Sequence, residues 1–589
     1  MALVLALGAC TPEGGGAGGH AEVAAEIADA SPAAAGDAGA TSAGWFTDVT
    51  AAAGVDFVHD AGLTPDKHLP ETMGAGAALF DADGDGDLDL YLLQGGPLPF
   101  VPADTRPPNR LFLNRGNGTF QDATGQSGAA AHTGYAMAVT AGDVDGDGDT
   151  DLFVTNLGPD VLLLNDGAGH FTDATDPGLA DPRWTSGTSF FDADGDGDLD
   201  LYVSAYVGID YGHPEWCGDR RPGWRSYCHP DAYPGLPDRY YRNDGPDAAG
   251  RPRLVDATEA AGFGITPDMP GKGLGVLAFD AEPDGDLDLY VANDSVENRL
   301  WINRGDGSFE DGTLLSGTGT NARGMSEAGM GLAGGDVDAD GDIDLLVTNF
   351  DDESNTLYRN DGDGLFTDAT VASGLEAPSR RPVGFGTVLA DLDHDGDLDL
   401  VVANGHIIDN VQLYDDGKTH AQRAQLFVND GAGRFAEVLD GAGDLTATPF
   451  VGRGLYAGDL DGDGDLDLVL TECGGPTRLL RNDGPGGAGP RGGSLVLAGL
   501  PPGTRVECRL GDGRVLVREA GPATSYYGSG APDVHLGLGP GAPSIAELVL
   551  AVPGRAPHAP PAPAASGRHR LADDGLAWKP DPPRGGPPP

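Results

Sequence analysis

From about residue 44 to residue 485 the chain alternates short apolar runs with one recurring polar phrase. Small and apolar residues lead into each phrase, as in Gly-Ala-Gly-Ala-Ala-Leu-Phe80 and Gly-Phe-Gly-Thr-Val-Leu-Ala390. Aliphatic and aromatic residues lead out of it, as in Leu-Tyr-Leu-Leu93, Leu-Tyr-Val-Ser204 and Leu-Val-Val-Ala403. Both kinds of run have the composition of short strands. Two more follow around a turn, and the wording from Arg110 to Thr124 returns almost unchanged from Thr356 to Thr370. The Asn-Gly and Asp-Gly pairs in these turns supply the positive φ angles that a tight hairpin needs.

One unit is therefore about four short strands, and successive phrases start 49 to 88 residues apart. Such a unit cannot bury both its faces alone, but a ring of them can. The pattern predicts an all-β chain whose residues 44–485 form a seven-bladed β-propeller. The last unit, ending Arg478-Leu-Leu-Arg-Asn-Asp-Gly484, lacks its fourth strand. The missing wording stands at the front as Trp45-Phe-Thr-Asp-Val-Thr50. An N-terminal strand completing the last blade would close the ring and leave no free edge.

The polar phrase carries five acidic residues at alternate positions around a glycine, and it occurs seven times. Two carboxylates about 4 Å apart repel by roughly 4 kcal/mol at an effective dielectric of 20. A loop that gathers five of them closes around a hard cation that takes many oxygen ligands, and calcium fits that requirement best. Positions 1, 3, 5 and 9 are the expected ligands. In the first three loops these are Asp81, Asp83, Asp85 and Asp89; Asp143, Asp145, Asp147 and Asp151; and Asp192, Asp194, Asp196 and Asp200. In the next two they are Asp280, Glu282, Asp284 and Asp288; and Asp336, Asp338, Asp340 and Asp344. The last two loops offer Asp391, Asp393, Asp395 and Asp399; and Asp459, Asp461, Asp463 and Asp467. Up to seven calcium ions are expected. An EF-hand shares the opening spacing but needs a Glu at position 12 and flanking helices. Position 12 is Leu92, Val154, Val203, Val291, Val347, Val402 or Leu470, each inside a strand run. The fourth loop departs from the others through Glu282 and Pro283, which predicts weaker or shifted binding there.

The formal charge of −57 is carried in part by these loops, which hold 35 of the 92 acidic residues. Seven divalent cations would leave the surface strongly acidic, so nucleic acid, which needs a basic face, is excluded as a partner. The 96 glycines and 45 prolines suit a turn-rich β protein. Residues 1–10 end in Leu7-Gly-Ala-Cys10, which reads as a lipoprotein signal with Cys10 as the lipidated residue, although no Lys or Arg precedes it. Residues 11–43 are a Gly/Ala-rich linker, residues 490–555 a small β domain, and residues 556–589 a Pro-rich tail expected to be disordered. Export would favour pairing of the remaining four cysteines. Cys217 and Cys228 bracket a short loop, and Cys473 with Cys508 would fasten the C-terminal domain to the ring.

The repeats resemble the FG-GAP/VCBS repeats of integrin α-subunit propellers. They are still closer to the cartilage acidic protein family and its bacterial relatives. The resemblance rests on Asp48-Val-Thr50, the loop from Cys228 to Tyr240, Gly329-Met-Gly-Leu-Ala-Gly-Gly-Asp336 and Ala403-Asn-Gly-His406. His535-Leu-Gly-Leu-Gly539 is similar to the ASPIC/UnbV module, although the usual Trp-Pro-x-Gly reads Ala551-Val-Pro-Gly554 here. The resemblance implies extracellular binding or adhesion and names no reaction.

Other motifs carry less. Arg304-Gly-Asp306 spells an adhesive tripeptide but falls in the turn common to the repeats. The insertion over residues 208–237 brings Tyr211, Trp216, Trp224, Tyr227 and Tyr233 together, either as a stacking surface or as a stapled excursion. His59, Glu71, Glu327 and His406 flank the loops and offer a second metal or catalytic site if they converge. There is no nucleophile elbow, P-loop or dinucleotide fingerprint. The reading that follows is a monomeric, calcium-stabilised binding or adhesion module on a bacterial cell envelope. Its partner would be an extracellular protein or glycan, and lipid would be its only tie to the membrane. The alternative is a carbohydrate-active lyase or hydrolase on the same propeller, and a third is an assembly or biosynthetic accessory.

Overall fold

A computed structural model describes residues 44–130, 134–264, 271–489, 492–521, 525–563, 566–571 and 578–580. Cys10, the linker before residue 44 and the end of the tail lie outside them. Residues 46–482 form seven four-stranded antiparallel sheets. The first comprises Ala77–Phe80, Asp89–Leu92, Arg110–Asn114 and Phe120–Asp122. The first strands of the other six are Tyr135–Gly142, Thr185–Phe191, Gly273–Phe279, Leu332–Gly335, Gly384–Ala390 and Gly452–Gly458. Each lies beside the first strand of the next sheet, and Gly452–Gly458 lies beside Ala77–Phe80. The circuit closes, and the architecture is a β-propeller.

Glycine lets these innermost strands approach. A Cβ on Gly386 would sit 2.4 Å from the Arg453 carbonyl oxygen of the neighbouring strand, so no larger residue fits. Away from the axis, alternate residues fill the space between sheets. Phe80 and Tyr91 of the first sheet pack with Val139 and Val154 of the second, all at most 1% exposed. Each such side chain contributes about 1.5–3 kcal/mol.

The seventh sheet takes its outer strand from the N-terminus: Phe46, Thr47 and Asp48 pair with Asn482, Arg481 and Leu480. Trp45 and Phe46 are buried against Leu445, Phe450 and Leu468.

The C-terminal domain pairs two sheets. One runs Val534–Gly537, Ser494–Ala498, Gly567–Leu571, Trp578–Pro580, and the other Val515–Glu519, Arg505–Leu510, Ile545–Ala551. Two expectations need correction. The tail after residue 555 is not wholly disordered, because Gly567–Leu571 pairs in parallel with Ser494–Ala498, and Leu571 and Trp578 pack on the domain core. Cys473 and Cys508 are not bonded. The Cys473 thiol meets the Glu71 carbonyl at 3.3 Å, whereas Cys508 is buried among the apolar side chains of the C-terminal domain. Cys217 and Cys228 are joined.

The C-terminal domain also fills the ring's axis. Ser525–Ala531 is hydrogen-bonded to the innermost strands of five sheets. Leu332 N donates to Ser525 O (3.1 Å), Thr387 N to Ser525 Oγ (2.8 Å) and Val139 N to Tyr527 O (3.2 Å). Tyr456 Oη donates to Tyr526 O (2.7 Å), and Leu79 N to Ser529 O (3.0 Å). Tyr527 holds φ 63°, a conformation a bulky residue adopts only where its surroundings over-determine it.

Removing residues 44–50 should therefore cost roughly 3–6 kcal/mol for the two buried aromatic rings alone and expose the edge of the seventh sheet. Thermal melting and light scattering of the truncated chain should show a lower midpoint and self-association. A monomer of unchanged stability would contradict closure by this strand.

Candidate metal centre

In every sheet the acidic phrase connects the first strand to the second, so all seven loops lie on one face of the ring. Six of them are wound on their own first carboxylate. Asp81 Oδ1 accepts from Gly84 N (2.8 Å) and Asp85 N (3.1 Å), and its Oδ2 from Gly86 N (3.0 Å). Asp85 Oδ1 then accepts from Asp87 N at 2.9 Å, a bond repeated at the same positions in all seven loops. Position 4 is left-handed in six loops, at Gly84, Gly146, Gly195, Gly462 and also at Ala339 (φ 60°) and His394 (φ 61°). In the fourth loop Pro283 has no N–H there, and Asp280 keeps only the bonds from Asp284 N (3.3 Å) and Gly285 N (3.1 Å).

This winding turns the remaining carboxylate oxygens inward. Ligand atoms at positions 1, 3 and 5 lie within 4.8 Å of one another in the loops beginning at Asp81, Asp192, Asp336 and Asp391. In the loop beginning at Asp143 the converging trio is Asp143, Asp145 and Asp151. The set fits a hard, oxygen-seeking cation, because buried oxygens are left without a donor. Asp391 Oδ1 and Asp399 Oδ2, on side chains 1% exposed, have no hydrogen-bond partner, nor has Asp336 Oδ1. Burial is the main cause of their raised pKa values. Without a cation, Asp151, Asp288 and Asp344 are pushed up to about 8, and Asp200, Asp280 and Asp391 to about 7.

Position 9 has a second role that spacing alone did not show. Asp89 Oδ2 accepts from Ala82 N (2.8 Å), and its Oδ1 accepts from Asn114 N (2.7 Å) at the end of the third strand. The Asn114 amide in turn donates to Leu88 O (3.0 Å) in its own loop and Leu460 O (2.8 Å) in the loop of the seventh sheet. Asn165, Asn243, Asn303, Asn360, Asn429 and Asn482 each reach the preceding sheet's loop in the same way, at Ala82, Val144, Ala193, Ala281, Val337 and Leu392, over 2.8–2.9 Å. Seven buried asparagines thus tie seven loops into a belt. Their recurrence before each turn was visible in the sequence, but it was explained there by turn geometry alone.

Two pairs of overlapping segments, residues 81–154 with 143–203 and 280–347 with 336–402, match the family model described as FG-GAP-like repeat. The chain carries FG-GAP-like repeats. Cartilage acidic protein 1 from Homo sapiens is 25% identical over 425 residues, covering 69% of this chain and 58% of that protein. The Xenopus tropicalis protein is 24% identical over 431 residues, covering 68% of this chain and 58% of that protein. The chain thus spans under three fifths of the length of these curated relatives. Among solved structures, an Agrocybe aegerita lectin that recognises non-reducing terminal N-acetylglucosamine is 16% identical with a TM-score of 0.42. That match covers 70% of this chain and 90% of the lectin.

The residues expected to form a second site lie on the opposite face and do not form one cluster. Glu71 accepts from Thr64 Oγ (2.5 Å) and Tyr227 Oη (3.2 Å), whereas His406 Nε2 meets Asp351 (3.2 Å). Glu327 accepts from Thr356 Oγ (2.6 Å) and Asn321 (2.8 Å). Each is held in its own loop network. The aromatic insertion sits on that face too. Its rings are already stacked: Arg221 lies 3.5 Å over Trp224 and Arg225 4.7 Å over Trp216. Arg225 also pairs with Asp66 at 2.6 Å, and Asn410 donates to Arg225 O at 3.0 Å. These contacts anchor the stapled hairpin across neighbouring loops and leave Trp216 43% exposed.

The raised carboxylates set a sign for pH. Their folded pKa values, about 7–8, lie well above the ordinary range of an aspartate, so the metal-free fold binds more protons than the unfolded chain. Their contribution is fully present below about pH 4 and is lost as pH rises through 8. In EDTA the melting temperature should fall from pH 5 to pH 8, and added calcium should restore it at pH 8. A metal-free protein that melts higher at pH 8 than at pH 5 would contradict this assignment.

Proposed function

We propose that the chain is a calcium-stabilised extracytoplasmic binding module, with one calcium in each of the seven loops. The observation that carries this reading is the repeated convergence of carboxylate oxygens, some of which no protein donor satisfies in the loops beginning at Asp81, Asp336 and Asp391. Calcium suits it because the ligands are all oxygens and its own coordination geometry tolerates six or more of them in an irregular shell. The cation would neutralise charge that burial makes costly and supply no reaction step. The disulfide between Cys217 and Cys228 supports an oxidising compartment. Together with the lipobox ending at Cys10, it favours a lipoprotein of the cell envelope.

The C-terminal domain reaches the loop face. Arg505 donates to Gly341 O, Arg514 to Asp395 O and His535 Nε2 meets Gly464 O, so the opposite face, with the exposed Trp216, is the side offered to an extracellular protein or glycan. An array of glycans and extracellular proteins, probed with and without calcium, tests the binding role. Calcium-dependent capture of one class supports it, and reproducible turnover of a captured polysaccharide would replace it with a carbohydrate-active enzyme.

Chelation tests the metal assignment. A site filled at 100 times its dissociation constant adds about 2.7 kcal/mol, and several sites add further. Exhaustive EGTA treatment should therefore lower the melting temperature substantially, with recovery on calcium but not on magnesium. An unchanged melting curve would sink the assignment.

A further inference from the structure

The seven loops do not have the same surroundings. Those at residues 336–344 and 391–399 face arginines of the C-terminal domain. Arg518 Nη2 donates to Gly396 O at 3.0 Å, and Arg514 Nη1 donates to Asp395 O at 2.7 Å. Arg505 reaches Gly341 O. Arg518 and Asp391 line the same cavity of about 180 Å³ between the ring and the C-terminal domain, together with Glu519, Asp459 and His535. Inside it Arg518 Nε and Asp391 Oδ1 are both shielded from solvent, and neither has a hydrogen-bond partner. A guanidinium and a loop carboxylate are thus enclosed together without being bonded to each other. The strand that carries Arg518 also packs against Leu332–Gly335, which leads directly into Asp336, and Gly334 and Gly335 line the same cavity.

We infer that Arg518 is a fixed cation that lowers the calcium affinity of the loops at residues 336–344 and 391–399. The inference rests on the reading of the loops as calcium sites. A positive charge held in a shielded cavity beside a dication raises the potential the dication must enter, and little water is present to screen it. The same charge offsets carboxylate repulsion when the cation is absent, so these two loops stay closer to their wound form without calcium. Linkage makes the effect reciprocal: calcium in these two loops loosens the hold of Arg518 on the ring. Docking of the C-terminal domain and calcium occupancy are then coupled at these two loops and not at the loop beginning at Asp143.

Calcium titration of the full chain, by calorimetry and by competition with a chromophoric chelator, tests this with Arg518→Met and Arg518→Lys. The wild type should bind calcium more weakly at these two sites than at the loop of residues 143–151. Arg518→Met should tighten those two by about three- to tenfold and lower the melting temperature of the calcium-free protein more than that of the loaded one. Arg518→Lys, which keeps the charge, should leave both sites as weak as in the wild type. Should Arg518→Met fail to fold even in calcium, Arg514→Met carries the test, with the expected tightening confined to one site. Unchanged or weakened sites in the charge-removing variants would overturn the inference while leaving the calcium reading intact. A wild-type chain that binds no calcium would overturn both.

Discussion

Carboxylates crowded into a half-buried loop repel one another, and the rest of this structure depends on how that repulsion is met. Five per loop, seven times over, cannot all ionise inside the protein without a compensating charge. Backbone N–H groups supply part of the compensation, since most loops wind on their first carboxylate and six close on their ninth. They do not supply all of it. Asp391 and Asp399 keep buried oxygens with no donor, and burial pushes several loop carboxyls up to about 7 or 8 in the metal-free protein. A calcium ion in each loop would meet the remaining demand and keep the first two strands of each sheet in register.

The loops are also tied to each other. Each asparagine at the end of a third strand binds its own loop and the one before it, so a loop that opens withdraws a partner from its neighbour. Closure of the ring extends the argument, because the strand at Phe46–Asp48 protects the asparagine at Asn482 that binds Leu392 O. The segment Ser525–Ala531 adds a second tie along the axis, bonded to the innermost strands of five sheets. The C-terminal domain is in this sense part of the propeller's interior and not an appendage to it.

Much of this was legible in the sequence because it repeats. Seven copies of one phrase announce the loops, their strands and the ring, and Trp45-Phe46 repeats a wording otherwise missing from the last unit. What was not legible lacks a repeat. The plug at Tyr526-Tyr527 occurs once, and nothing local marks it as bound for the axis. The strands at Gly567–Leu571 and Trp578–Pro580 sit in a Pro/Ala-rich setting whose composition argues for disorder, and only pairing with Ser494–Ala498 gives them a structure. Cys473 and Cys508 were an even pair by count, but residues on separate elements need a shared face before counting applies. The asparagine belt was in plain view, hidden by a sufficient local explanation in the turns.

The belt is where the account is most exposed to test. Asn360→Ala keeps the backbone N–H to Asp344 but leaves Ala281 O and Ile343 O without their donor. Hydrogen exchange of the calcium-loaded variant, followed loop by loop, measures how far the damage travels. The account predicts lost protection in both loops the asparagine joins, residues 280–288 and 336–344, with the distant loop at residues 143–151 unchanged. Protection lost only around residue 360, with the loop at residues 280–288 as well protected as in the wild type, would contradict the claim that the loops are held as one ring.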